Sequence, residues 1–217
     1  MTITHHPADD TLLRHATGAL NAGLALVVEA HLTGCPQCRA RVAGFEALGG
    51  ALMEAEKLEP LAPAAFAEVL ARLDEPPPVT TAPHVPRRAM LHLPPGMKLP
   101  DVLAGCDIGR WLWFGPGVRY SQVRLPWAPE ANVMLLRVAS NRGVVTHSHA
   151  LYELTQILHG GYSDCTGSYG PGDMAEGDEL LLHQPRADAE GCLCLAALEG
   201  GLRLGGWLGR LQRRLGQ

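Results

Sequence analysis

The chain has 217 residues, 47% of them apolar and 18% charged, which is the balance of a folded globular protein and excludes a disordered one. Its net charge of −4 and the lack of any Lys/Arg stripe argue against direct nucleic-acid binding. The N-terminus has no basic stretch leading into an apolar run. The longest apolar run, Ala22 to Val28, is far short of the ~20 residues that span a bilayer. A cytoplasmic protein without membrane contact is expected. There the six Cys read as metal ligands, redox groups or core residues rather than a disulfide framework.

The charge is unevenly placed. Residues 1–74 hold nine Asp/Glu against five Lys/Arg, the whole of the −4. That balance suits a basic protein partner, or simply a solvated acidic face. The same segment reads as helical. Pro7, Asp9 and Asp10 mark a helix start, followed by Leu12, Leu13 and Ala16 and a stop near Gly18. Asn21 suits an N-cap. Leu24, Val27, Val28 and His31 then recur on one helical face, and Gly34 is a stop. Pro36 opens a third helix carrying Val42, Phe45, Leu48, Leu52 and Met53. A fourth is expected from about Ala64 to Leu73.

From Glu75 to about Arg88 five prolines and no helical period predict an extended, semi-rigid linker. Beyond Pro100, short runs such as Val118–Leu125 and Val133–Val138 are bounded by Gly, Pro and Asn, the pattern of a small antiparallel barrel or jelly roll. The expected fold is α plus β in two domains. The expected boundaries are 1–74 for a helical unit, 75–94 for the Pro-rich linker, 95–206 for the barrel and 207–217 for a basic tail with Arg210, Arg213 and Arg214.

His31-Leu-Thr-Gly-Cys35-Pro-Gln-Cys38 carries the first chemistry. His31 falls in the last turn of one helix, and Cys38 in the first turn of the next. Imidazole and two thiolates then converge across a tight turn, a donor set that selects zinc at tetrahedral geometry. A redox C-x-x-C is the rival reading, but it normally follows a strand. A fourth zinc ligand is needed, and His5 or His6 can supply it. The segment from His5 to about Glu54 resembles the zinc-binding anti-sigma domain, whose ligand pattern His6, His31, Cys35 and Cys38 match. The resemblance selects His6.

The second constellation is His147-Ser-His149 with Glu153 four residues on. Two His at i and i+2 of a strand share one face. With Gly160 this resembles the first cupin motif. Gly143 precedes His147 by three intervening residues rather than the usual five. Gly170-Pro-Gly-Asp173 and His183 resemble the second motif, without the common Pro-x-Gly before the His. Three His and one Glu suit zinc, iron, nickel or manganese alike. Cys192 and Cys194 share one strand face. They are either redox-sensing groups near this metal or small core residues. Cys165 reads as a hairpin-loop residue, Cys106 belongs to no motif, and His84, His92 and His159 have no spacing partners.

The order helical zinc domain, linker, cupin is similar to the ChrR-type anti-sigma factors across nearly the whole chain. That resemblance implies an N-terminal domain that sequesters an extracytoplasmic-function-type sigma factor. It implies a cupin domain needed for release on an oxidative signal such as singlet oxygen or organic peroxide. It implies zinc at His6, His31, Cys35 and Cys38, and zinc or another divalent transition metal at His147, His149, Glu153 and His183. The alternative is a metal-dependent, dioxygenase-like cupin enzyme with a zinc docking module.

Overall fold

The computed structural model describes residues 2–76 and 84–204. Four helices come first: α1 (Asp9–Ala16), α2 (Ala22–Gly34), α3 (Pro36–Ala55) and α4 (Ala65–Ala71). The punctuation read from the sequence explains their limits. Asp9 and Asp10 fill the first turn of α1, with Pro7 just outside it. Asn21 caps α2 by accepting the Leu24 N–H at 2.9 Å. Pro36 opens α3, where the Cys35 sulfur accepts the Cys38 N–H at 3.4 Å.

Among the described residues ten strands follow, all paired antiparallel. They are β1 (Asp107–Ile108), β2 (Leu112–Gly115), β3 (Val118–Leu125), β4 (Ala128–Val138), β5 (His147–His149), β6 (Tyr152–Ser163), β7 (Ser168–Tyr169), β8 (Met174–Gly177), β9 (Arg186–Glu199) and β10 (Leu202–Leu204). The main sheet runs β1-β3-β4-β9-β6-β7, with β2 on β3 and β8 on β6. β5 and β10 form a second, two-stranded sheet. Gly160 makes the β6–β9 crossing possible. Its φ is +64°, and a Cβ there would sit 1.8 Å from the Gly191 carbonyl oxygen.

α2 does not show a single apolar stripe. Leu26 and Ala30 are buried along with Leu24, Val27, Val28 and His31. The helix is enclosed because it lies between the other helices and the main sheet. Leu12, Leu24, Val27 and Val28 share one core with Val133, Leu135, Leu154, Leu195 and Ala197. Gly23 permits the close approach, since a Cβ there would meet Val133 Cγ2 at 3.0 Å. Alternation along β6 and β9 then divides the sheet into two faces. Leu154, Leu195 and Ala197 pack in the core shared with the helices. Glu153, Thr155, Cys192 and Cys194 line a cavity of about 60 Å³.

The third and fourth helices differ from a closed bundle. Of the apolar row expected on α3, only Val42 is fully buried, while Leu48, Leu52 and Met53 are exposed. α4 buries no residue, and Phe66, Val69 and Leu70 stand open. The linker read from the sequence lies partly outside the described residues, at 77–83. From His84 it is pinned to the sheet: Asp107 accepts the Arg87 N–H at 2.6 Å and contacts His84 Nε2 at 2.9 Å. The basic tail, 207–217, falls outside the described residues.

Candidate metal centres

The structure brings His6, His31, Cys35 and Cys38 together, one donor atom from each within 4.8 Å of the others. His6 Nδ1 is 3.4 Å from both sulfurs. His31, Cys35 and Cys38 are buried. The His31 ring is held by its Nδ1, which lies 3.1 Å from Gln156 Oε1 and 3.0 Å from the Gly172 carbonyl oxygen. Both partners accept, so Nδ1 carries the proton and Nε2 has the free lone pair. That Nε2 is buried without a hydrogen-bond partner. A buried acceptor left bare is costly, and a cation would satisfy it. Burial holds the His31 imidazole below its ordinary pKa, against the pull of Gln156 and Gly172. Burial and the neighbouring Cys35 push the Cys38 thiol up to about 12. A metal bound there has to displace that proton, so binding releases protons and weakens as pH falls. His5 is not in this group. Its Nδ1 lies 3.3 Å from Asp173 instead.

The second cluster lies on the opposite face of the sheet. β5 supplies His147 and His149, and a bridge between His147 and His183 brings in the third ring. His183 Nε2 is 3.1 Å from His147 Nε2 and 3.2 Å from His149 Nε2. Each Nδ1 faces an acceptor: the Val145 carbonyl at 2.8 Å, Glu153 Oε2 at 2.7 Å and Asp164 Oδ2 at 2.7 Å, for His147, His149 and His183 respectively. His147 and His183 thereby turn their Nε2 lone pairs toward each other and toward His149 Nε2, an arrangement that fits a bound cation. Burial lowers the His147 pKa, which keeps that ring neutral and able to ligate.

Glu153 stands behind His149 rather than among the mutually close donor atoms. Its Oε2 is near His149 Nδ1 but out of line for a hydrogen bond, so both buried atoms remain unsatisfied. Thr155 donates to its other oxygen at 2.8 Å. Burial would raise the Glu153 carboxyl. His149, His147 and Thr155 overcome it and hold the group ionised.

Cys192 and Cys194 face the cavity that His147, Glu153 and His183 also line. Hydrogen bonding to Cys192 and burial both raise the Cys194 thiol well above its ordinary range. Cys165 is exposed and Cys106 buried.

The chain is 38% identical over 97% of its length to the anti-sigma-E factor ChrR of Cereibacter sphaeroides, and covers 97% of that protein. The chain belongs to the ChrR family of anti-sigma factors. Its fold matches the crystal structure of Rhodobacter sphaeroides SigE in complex with the anti-sigma ChrR, with a TM-score of 0.71 and 33% identity. The match covers 91% of this chain and 100% of that one. An RmlC-like cupin protein from Ralstonia eutropha matches 51% of this chain and 81% of its own, with a TM-score of 0.40 and 14% identity. No family model matches the chain.

Three residues of this ChrR-family chain escape a reading from sequence. Asp164 orients His183 from a loop with no motif. Its carboxyl would be raised by burial, but Thr166 and His183 hold it low. Gln156 is one apolar-strand polar residue among several and becomes notable only through His31. Asp173 was visible as part of Gly170-Pro-Gly-Asp173, but not as the anchor of the N-terminal segment. It accepts the Thr4 and His5 N–H groups at 2.7 and 2.9 Å.

Proposed function

We propose that this chain sequesters an extracytoplasmic-function-type sigma factor in the cytoplasm and releases it on an oxidative signal received at the cupin metal site. Residues 1–74 act as the sigma-binding unit, 75–94 as the linker, 95–206 as the sensor and 207–217 as a basic tail. Zinc sits at His6, His31, Cys35 and Cys38. Zinc or another divalent transition metal sits at His147, His149 and His183, with Glu153 turning in from behind His149 to supply the fourth ligand. Cys192 and Cys194 share the cavity beside that metal and are placed to react with an oxidant that enters it.

The observation that carries the sigma-binding half is the uncovered apolar row on α3 and α4. Leu52, Met53 and Phe66 are 62%, 75% and 75% exposed, within a run of exposed large apolar side chains from Leu48 to Leu73. Large apolar side chains left out of a core on this scale mark an interface. The acidic balance of residues 1–74 suits a basic partner. The solved relative is SigE in complex with the anti-sigma ChrR, which supports a sigma factor as the partner here. The cavity of about 60 Å³ favours a small oxidant over the larger substrate of a dioxygenase-like enzyme.

The test is co-expression of the full chain with a SigE-type sigma factor, capture of the complex, and a metal count. Copurification at one-to-one stoichiometry with two metal ions per chain is expected, followed by release on exposure to singlet oxygen or an organic peroxide. A metal-loaded chain that captures no sigma factor sinks the proposal. Capture without release under any oxidant sinks the sensing half alone.

A further inference from the structure

We propose that Gln156, on β6, and Asp173, in the turn just before β8, are positioning residues for the N-terminal metal cluster, so that two of its four donors are aimed by the sensor domain. The proposal rests on the zinc reading of that cluster and concerns what holds the donors in place.

The two sulfurs are positioned locally. Cys35 and Cys38 sit at the turn between α2 and α3, where the Cys38 N–H caps onto the Cys35 sulfur. The two imidazoles are not. His31 Nδ1 donates to Gln156 Oε1 and to the Gly172 carbonyl, 125 and 141 positions away in sequence. These contacts fix the tautomer and the tilt of the ring, and with them the direction of Nε2. An acceptor behind a ligating His also makes the ring a stronger donor.

His6 follows directly on a segment tied to the same part of the sheet. Asp173 accepts both the Thr4 and His5 N–H groups and the Thr4 hydroxyl, and the His5 carbonyl accepts the Met174 N–H at 3.1 Å. Asp173 is itself held by the Gly170 N–H at 2.9 Å. The N-terminal segment thus lies against residues 173 and 174, and His6 emerges from its end. β6 and the Gly170–Asp173 turn therefore hold the His31 ring directly, and the turn holds the segment that leads into His6. β6 also carries Glu153 of the other cluster, three residues before Gln156 and on the opposite face. A shift of β6 at one metal site would be felt by a ligand of the other.

Cobalt(II) titration of the full chain tests this, in a background with Cys192→Ser and Cys194→Ser so that the thiolate-to-cobalt charge-transfer band reports on Cys35 and Cys38. Gln156→Ala and Asp173→Ala are each expected to weaken cobalt binding at that band by about ten-fold or more, the usual scale for a lost outer partner. Both should also alter the ligand-field bands. Asp173→Asn keeps the Oδ1 acceptor for the Thr4 and His5 N–H groups but loses the acceptor for the Gly170 N–H, and is expected to bind cobalt with an affinity between those of the parent and the Ala variant. Variants that fold, by circular dichroism, and bind cobalt as the parent does overturn the proposal, as does an Asn variant no better than Ala. If the Ala variants do not fold, the near-isosteric Gln156→Glu decides. A stronger acceptor should tighten binding, and an unchanged affinity overturns the proposal. A parent chain that shows no thiolate band at all would instead overturn the zinc reading.

Discussion

Asp164 receives the Nδ1–H of His183 at 2.7 Å, and both side chains are almost wholly buried. Without that carboxylate the ring would be free to rotate and its Nε2 would no longer be held toward His147 and His149. Asp164→Ala should therefore weaken metal binding at the three-His cluster by about ten- to a hundred-fold. Chelator competition on the folded variant checks this. The N-terminal cluster should keep its metal, since Asp164 touches none of its donors.

Removing His31 tests the other cluster and the core together. The side chain is fully buried between α2 and the sheet, so His31→Ala deletes a ligand, opens a cavity and strands Gln156 Oε1. A loss of about 2–4 kcal/mol is expected. For a chain of this length that is a fall in melting temperature of about 5–15 °C. The protein should carry one metal ion fewer. Stripping the parent with a strong chelator should lower its melting temperature in the same direction, and added zinc should restore it.

Gly160→Ala should be among the most damaging single substitutions in the chain. The backbone there is left-handed, and the new methyl would overlap the Gly191 carbonyl on the adjacent strand. Left-handed strain alone costs about 1 kcal/mol or more. The clash must also part β6 from β9, so a total above about 3 kcal/mol is expected. Thermal unfolding measures it. Gly49→Ala, at a site open to solvent with nothing near its Cβ, is the control and should be neutral or slightly stabilising.

Leu52→Asp and Phe66→Asp should separate partner binding from stability. Neither side chain is packed in the chain alone, so melting should shift by no more than about 0.5 kcal/mol equivalent. Capture of a SigE-type sigma factor should fall at least ten-fold, because large apolar anchors dominate such interfaces. Equal capture by both variants would move the interface elsewhere.

The sequence by itself determined the parts whose physics is local. Asn21, Gly34, Pro36 and the Cys35–Cys38 turn act within a few residues, so the first three helices and the H-x3-C-x2-C geometry could be read directly. Strand alternation likewise placed His147 with His149 and Cys192 with Cys194 on common faces. What only the tertiary structure decided are the relations between distant segments. The apolar row on α3 looks like core in sequence because periodicity reports a face, not what covers it. Among the described residues nothing covers Leu48, Leu52 or Met53. Glu153 lies at the motif's spacing, yet its carboxylate sits behind His149, because residue count sets the face of a strand and not the direction in which a long side chain reaches. Asp164, Gln156 and Asp173 act on His183, His31 and the segment before His6 from 19, 125 and about 170 positions away. No local pattern carries those pairings. They exist because α2 and the N-terminal segment bury themselves against one face of the sheet while the three-His cluster occupies the other.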